Sequence, residues 1–379
     1  MTTVYLHIGT PKTGTTAIQY FMGNNEEALN KQGYSYPYLD LGMDYSDFKY
    51  RSGHFLAYTP KEQQRRVVNG EGIRQRGFRI LGDIAKKYPN IILSDEVLWY
   101  RCNFIPNFWK EIVDELAKIN CQLKVVVYLR RQDQVIQSLW NQTIKGSSHF
   151  HEEFMESIDT KHFRYFPLEY YKHLNKIAAG IGEENLLVRV YERGQFKDND
   201  ILADFMETVG LKLTEDFSRV DVPTNYGLTG NFIEIKKTIN SIPQYQEMRN
   251  FMSFPVIYAS VFQEKENQIP KTSMFNSEEV KEYMAGYEEC NRLVAQKYLG
   301  QEDGVLFREP LKEQFVWEIN EQTMSRDVLI YAAEMFCSQQ KKIDELRKEV
   351  DEMKRKMDLI SNNVLVRVIR RLEKWIKGK

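Results

Sequence analysis

The segment Thr3-Val4-Tyr5-Leu6-His7-Ile8-Gly9-Thr10-Pro11-Lys12-Thr13-Gly14-Thr15-Thr16-Ala17-Ile18-Gln19-Tyr20-Phe21-Met22 sets the architecture of this chain. Residues 3–8 form a β-branched and aromatic run that ends at Gly9, and Thr15 opens a good helix start. A strand, a tight loop and a helix follow in that order. Backbone N–H groups and the positive end of the helix dipole therefore converge on the loop, and Lys12 adds a full charge beside them. Gly9 and Gly14 let the backbone turn sharply, while Thr13, Thr15 and Thr16 bring hydroxyl donors. Taken alone, such a loop either holds phosphate or a similar oxyanion or is an ordinary strand-to-helix connection.

Working outward, residues 91–94, 123–129 and 185–191 are short, strongly apolar runs of the kind that form strands buried on both faces of a parallel sheet. Helical patterns occupy 108–119, 132–145, 167–179 and 201–209, so strands alternate with helices. The expected fold class is α/β: a three-layer sandwich around a central parallel sheet, with a C-terminal helical extension. Residues 228–300 read as mostly helical, 311–337 as a helical connector, 338–361 as a short coiled coil and 362–379 as a basic amphipathic helix.

The coiled-coil expectation rests on Ile343, Leu346, Val350, Met353, Met357 and Ile360, which recur at alternating steps of three and four. Such a seam serves either a homodimer or packing onto the protein's own body. In the tail, Leu365, Val368, Ile369, Leu372, Trp375 and Ile376 line one helical face and basic residues the other, a pattern suited to an anionic membrane surface or to the solvated end of a packed helix.

Composition narrows the function classes. Lys and Arg number 52 against 53 Asp and Glu, a net charge of −1, so no general polyanion binding and no nucleic-acid partner is expected. Cys102, Cys121, Cys290 and Cys337 form no CxxC pair and have no His at ligand spacing, which reads as four isolated buried thiols and no metal. The N-terminus lacks a basic segment followed by an apolar run, and no stretch approaches eighteen apolar residues, so a cytoplasmic chain is expected.

The loop departs from a Walker nucleotide-triphosphate motif, because Lys12 precedes Gly14 where that motif has its Lys after the second Gly. Pro11-Lys12-Thr13-Gly14-Thr15-Thr16 instead resembles the 5′-phosphosulfate-binding loop of sulfotransferases that use 3′-phosphoadenosine 5′-phosphosulfate (PAPS). A second element agrees with it. Arg130 follows the strand at 123–129 and Ser138 lies eight residues beyond, resembling the Arg and Ser that bind the 3′-phosphate in that family. Arg131 has no such assignment. Val188-Arg189-Val190-Tyr191-Glu192, Phe205, Val209-Gly210-Leu211 and Asn225 resemble fold markers of the same family. The resemblance spans residues 3–310 and is strongest to bacterial enzymes acting on carbohydrates or other small hydroxyl acceptors. No Arg-Lys-Gly-x-x-Gly-Asp-Trp segment occurs, so closure over the 3′-phosphate has to use other groups.

The resemblance implies in-line attack of an acceptor oxygen on sulfur, with adenosine 3′,5′-bisphosphate as the nucleotide product and Lys12 neutralising the leaving phosphate. The acceptor proton needs a base. Ser94-Asp95-Glu96 stands at the C-terminal end of an expected strand, which makes Glu96 the first candidate and Asp95 the structural member of the pair. His54 is the second candidate, and His7 reads as a satisfied core residue. Tyr34, Tyr36 and Tyr38 fit either a half-buried strand or a sugar platform. The expected acceptor is a saccharide or glycolipid hydroxyl. A P-loop kinase with Asp95 on Mg²⁺, and a non-catalytic membrane-associated scaffold, are the competing classes.

Overall fold

The computed structural model describes residues 1–41, 50–68, 70–147, 149–219, 227–248, 254–262, 272–311, 315–362 and 364–377. Asn225 lies outside them. The chain divides into two compact units: Met1–Trp140 with Glu152–Asn225 and Ser273–Val316, and Asn141–His151 with Tyr226–Thr272 and Trp317–Lys379.

In the first unit, β1 (Thr2–His7) leads through the Lys12 loop into α1 (Thr15–Asn24). The remaining strands are β2 (Tyr34–Ser35), β3 (Asn90–Ser94), β4 (Cys121–Leu129) and β5 (Leu186–Val190), arranged β2-β3-β1-β4-β5 with every pairing parallel. Leu6 is level with Leu93 on one side and Val125 on the other. The sheet is therefore built around the strand that the first motif defines.

Strand residues alternate between two cores. Val4, Leu6, Ile91, Leu93, Val125, Val127 and Val188 point to one face, packed by α2 (Ile73–Ala85), α3 (Phe108–Lys118), α5 (Tyr170–Ile181) and α8 (Glu288–Leu299). Ile92, Val126 and Tyr128 point to the other, against α1 and α6 (Ile201–Val209). This is the expected three-layer α/β arrangement. Between β4 and β5 the chain passes through α4 (Gln132–Gly146), whose last residues belong to the second unit.

The tyrosines of the expected strand separate. Only Tyr34 and Ser35 pair with β3; Tyr34 and Tyr36 are buried, donating to the carbonyls of Val209 and Tyr50, and Tyr38 is exposed. The hydroxyls of Tyr34 and Tyr36 are occupied by backbone, so the three do not form one platform.

The second unit is helical. In α7 (Phe232–Ser241), buried Lys236 donates to the Ser147 carbonyl at 2.8 Å and to Asn240, whose amide donates to the carbonyls of Ile144 and Phe150. Asn231 donates to Asp327 at 2.7 Å and ties the start of α9 (Glu321–Asn362) to this body. The boundary expected near residue 337 falls inside α9, a single 42-residue helix, and α10 (Val364–Lys377) follows it. Cys337 is exposed on α9, unlike Cys102, Cys121 and Cys290, which are buried as expected. Among the described residues, no helix is long and apolar enough to cross a membrane.

One buried carboxylate locks the far edge of the sheet to its helix. Asp204 on α6 is fully buried and accepts from Tyr128 Oη at 2.7 Å, Arg189 Nε at 3.1 Å and the Lys197 N–H at 3.0 Å. Asp204→Ala strands the Tyr128 and Arg189 donors, and is expected to lower stability by about 3 kcal/mol in urea unfolding.

Candidate active site

The C-terminal ends of β1, β3, β4 and β5 lie side by side, and the chain reverses its direction across the sheet between β1 and β4. Open α/β sheets bind ligands at such a switch point. The Lys12 loop leaves β1 there and Arg130 leaves β4.

The loop is tightly wound. Gly9, Lys12 and Gly14 all have positive φ, at 88°, 71° and 70°. Left-handed geometry suits glycine; at Lys12 it is an unfavourable conformation that the surroundings must enforce. Those surroundings are β4: the Thr10 N–H donates to the Tyr128 carbonyl at 2.8 Å, and the Tyr128 N–H donates to the Gly9 carbonyl at 2.7 Å. Thr13 Oγ1 closes the turn onto the Thr10 carbonyl. Gly14 caps α1 in the left-handed region without a side-chain cap, which leaves the first helical N–H groups to other acceptors. Thr10 Oγ1 and Thr15 Oγ1 are buried with no hydrogen-bond partner. Two orphaned hydroxyls beside a basic loop at a helix start fit an oxyanion.

Arg130 meets the same loop. Its Nη1 donates to the Lys12 carbonyl at 3.0 Å and its Nε to Gln134 Oε1 at 2.9 Å, while the guanidinium lies 5.7 Å from the centre of the Tyr191 ring. Burial lowers its pKa, yet a guanidinium keeps its proton at any ordinary pH. Tyr170 Oη fixes the Arg130 carbonyl at 2.6 Å. Ser138 stands half-buried two turns along α4. Arg131 plays a separate, structural part, because its buried fork grips Asp133 at 2.7 and 3.1 Å.

A cleft of about 660 Å³ opens beside these groups, lined among others by Gln134, Tyr191, Arg193, Phe196, Ile201 and Arg219. It adjoins the loop, since a Cβ on Gly14 would lie 3.4 Å from Tyr191 and 3.5 Å from Ile201. Buried Glu192 on its floor accepts from the Arg308 N–H at 2.8 Å and holds the 306–309 segment there.

Glu96 sits against the loop from the β3 side. A Cβ on Gly9 would fall 3.1 Å from Glu96 Cβ, so only glycine admits this approach. Glu96 Oε2 accepts from Gln19 Nε2 at 3.1 Å and lies 3.9 Å from Arg51 Nε. Gln19 also donates to Ser94 Oγ at 3.2 Å, and Ser94 Oγ is 3.0 Å from His7 Nδ1. Burial lowers the His7 pKa to about 3, so the ring is neutral; its Nε2 is buried without a partner, and His7 is satisfied on one nitrogen only.

Asp95 is fully buried. Its Oδ1 accepts from Arg51 Nη2 at 2.6 Å and from the Val97 N–H at 2.9 Å, and its Oδ2 lies 2.6 Å from His54 Nδ1. Burial pushes the carboxyl up, but His54 and Arg51 outweigh it and hold the pKa below the ordinary value. Asp95 thus orients His54 through Nδ1, the relation in which a carboxylate fixes a catalytic imidazole. Gln19, Arg51 and Gln134 have no role among the expectations drawn from the sequence, and Glu192 entered there only as part of a fold marker. A polar residue among the buried positions Thr15, Ile18 and Met22 of α1 was the available signal for Gln19.

No protein-family model matches the chain. It is 24% identical over 259 residues to an uncharacterized protein of Archaeoglobus fulgidus, an alignment that takes in 68% of this chain and 66% of that relative, just under two thirds of its length. Among solved structures it is similar to the sulfotransferase domain of the Synechococcus PCC 7002 olefin synthase, at 14% identity and a TM-score of 0.34 over 68% of this chain and 93% of the other. It is also similar to retinol dehydratase in complex with androsterone and the inactive cofactor PAP, at 17% identity and a TM-score of 0.32 over 81% and 82%. At such TM-scores neither likeness bears on function.

A depressed carboxyl gives stability that is complete above its unfolded pKa of 3.8 and is lost as pH falls through the lower folded value. Asp95→Asn is therefore expected to cost about 3 kcal/mol near neutral pH and to flatten the acid limb below pH 3.8 in pH-dependent urea titrations.

Proposed function

We propose that this chain transfers a sulfuryl group from PAPS to a hydroxyl acceptor, a saccharide or a glycolipid. The observation that carries the reading is the bond between Arg130 and the Lys12 carbonyl, which joins the two sequence elements expected to grip opposite ends of one doubly anionic nucleotide.

Lys12, the Thr15 and Thr16 hydroxyls and the first N–H groups of α1 would hold the 5′-phosphosulfate; Arg130 and Ser138 would hold the 3′-phosphate. The Tyr191 and Phe196 rings supply stacking surface for the nucleoside in the adjoining cleft. The donor supplies an activated sulfuryl group. Lys12 places a positive charge where negative charge grows on the departing phosphate oxygen. Glu96, held by Gln19 beside Gly9, accepts the acceptor's proton at its carboxylate. His54, turned by Asp95, is the second candidate for taking that proton.

The kinase alternative is disfavoured by the donors already on Asp95: Arg51, the Val97 N–H and His54 occupy both of its oxygens, leaving a poor Mg²⁺ ligand. The exposed apolar residues Ile369, Leu372 and Ile376 of α10, set among basic ones, support docking on an anionic membrane.

Titration of the purified protein with adenosine 3′,5′-bisphosphate and with ADP tests the nucleotide assignment. The bisphosphate is expected to bind at least about 10-fold tighter, and Arg130→Ala to remove that preference; equal weak binding of both refutes it. With labelled PAPS and a glycan and lipid panel, Lys12→Ala is expected to lower turnover by about 10²- to 10³-fold. Glu96→Gln is expected to lower it by about 10²- to 10⁴-fold with nucleotide affinity unchanged. If Glu96→Gln keeps full activity while His54→Gln loses it, the base is His54. Flotation with anionic vesicles checks the tail: salt-sensitive binding is expected, and none to anionic or neutral vesicles removes the membrane proposal.

A further inference from the structure

The apolar seam read from residues 343–360 extends further back along α9 than its six positions suggest. The helix is continuous from Glu321, and stepping back by sevens from Ile343 reaches Phe336 and Leu329. Both are large, apolar and exposed, at 66% and 70%. They lie on the side of α9 opposite its attachment to the second unit, which is made by Asp327 and Tyr331, both buried. The face that holds α9 to its own body is thus not the face that carries the seam. From Lys341 to Ile360 every residue is exposed.

We infer that α9 pairs in parallel with α9 of a second copy of this chain, through a coiled coil running from Leu329 to Ile360. Three features favour that occupant. From Ile343 to Ile360 the spacing is a strict 3.5-residue repeat, with Leu329 and Phe336 adding single positions every seven and Ala332 and Gln339 between them; that is the period of a helix wrapped on another helix, whereas a stripe lying on a globular surface or a lipid face follows 3.6 and is broader. Ile343 and Val350, followed by Met357, occupy one set of core positions and Leu346, followed by Met353 and Ile360, the other; β-branched residues in the first set with Leu in the second, as over 343–350, favour two parallel strands.

The flanking charges favour the same direction. Parallel pairing sets Glu349 of one chain beside Lys354 of the other, an attractive contact. It also sets Lys342 near Arg347, but each of these already has an acidic neighbour on its own helix, Glu345 at 3.1 Å and Asp344 at 3.6 Å. Antiparallel pairing would bring Arg347 and Lys354 of the two chains along one edge, where only cations meet. The parallel arrangement also carries both α10 helices to the same end of the pair, so that any surface they touch is met twice.

Sedimentation velocity and light scattering of the full chain test this. The expected result is a dimer of the 44.9 kDa chain, converted to monomer by Val350→Asp with adenosine 3′,5′-bisphosphate binding and circular dichroism of the body retained. In a Cys337→Ser background, Leu346→Cys is expected to form an intermolecular disulfide under mild oxidation, because parallel chains in register place the two positions side by side. A monomer at every concentration up to about ten times the working one overturns the inference. So does a dimer that survives Val350→Asp, which would pair through another surface. A dimer without the Leu346→Cys crosslink overturns the parallel register. A monomer whose binding to anionic vesicles is abolished by Val350→Asp assigns the seam to lipid instead.

Discussion

The site depends on a backbone turn that the chain resists and the sheet enforces. Lys12 occupies left-handed φ, which L-residues avoid by roughly 1–2 kcal/mol. The bonds from Thr10 and Tyr128 between the loop and β4, together with the Arg130 guanidinium on the Lys12 carbonyl, hold it there. The same bonds that impose the strain join the loop to Arg130 at the end of β4. Loop shape and the distance between the two elements are therefore fixed by one set of contacts, formed when β1 and β4 pair.

Buried polar groups elsewhere in the first unit follow a common logic. Asp95 and Asp204 are both fully buried carboxylates, and each is surrounded by at least three donors. Burying a charge is costly unless its lone pairs are taken up, so both positions are specified tightly. Asp204 fixes a helix to the sheet edge. Asp95 fixes the 51–54 segment against the end of β3, orienting His54 and setting Arg51 beside Glu96. Gln19 reaches the same glutamate from α1, so the helix that begins at the Lys12 loop also positions the candidate base.

Much of this was legible in the sequence because strands buried on both faces read as continuous apolar runs, and the residues after them fall at the strand ends that share a crevice. Glu96 came from that positional argument, Lys12 from the composition of the loop after β1, and Arg130 with Ser138 from the resemblance to a sulfotransferase pattern. His54 was found only by residue type, since the turn that brings it to Asp95 has no periodic signature. Gln19 was hidden inside a helix where a polar side chain ordinarily marks the solvent face. The partition of the chain was the least legible part: the helical insertions between residues 141 and 272 join residues after 317 in a second unit, and no change in composition marks those joins. The seam at 343–360 was visible, but its continuation to Leu329 emerged only once α9 was seen as one helix with its body-facing side identified.

The backbone at Lys12 sets conformational ease against side-chain charge. Glycine at position 12 would relieve the left-handed strain while deleting the ammonium group, so the substitution that best relaxes this turn also disarms it.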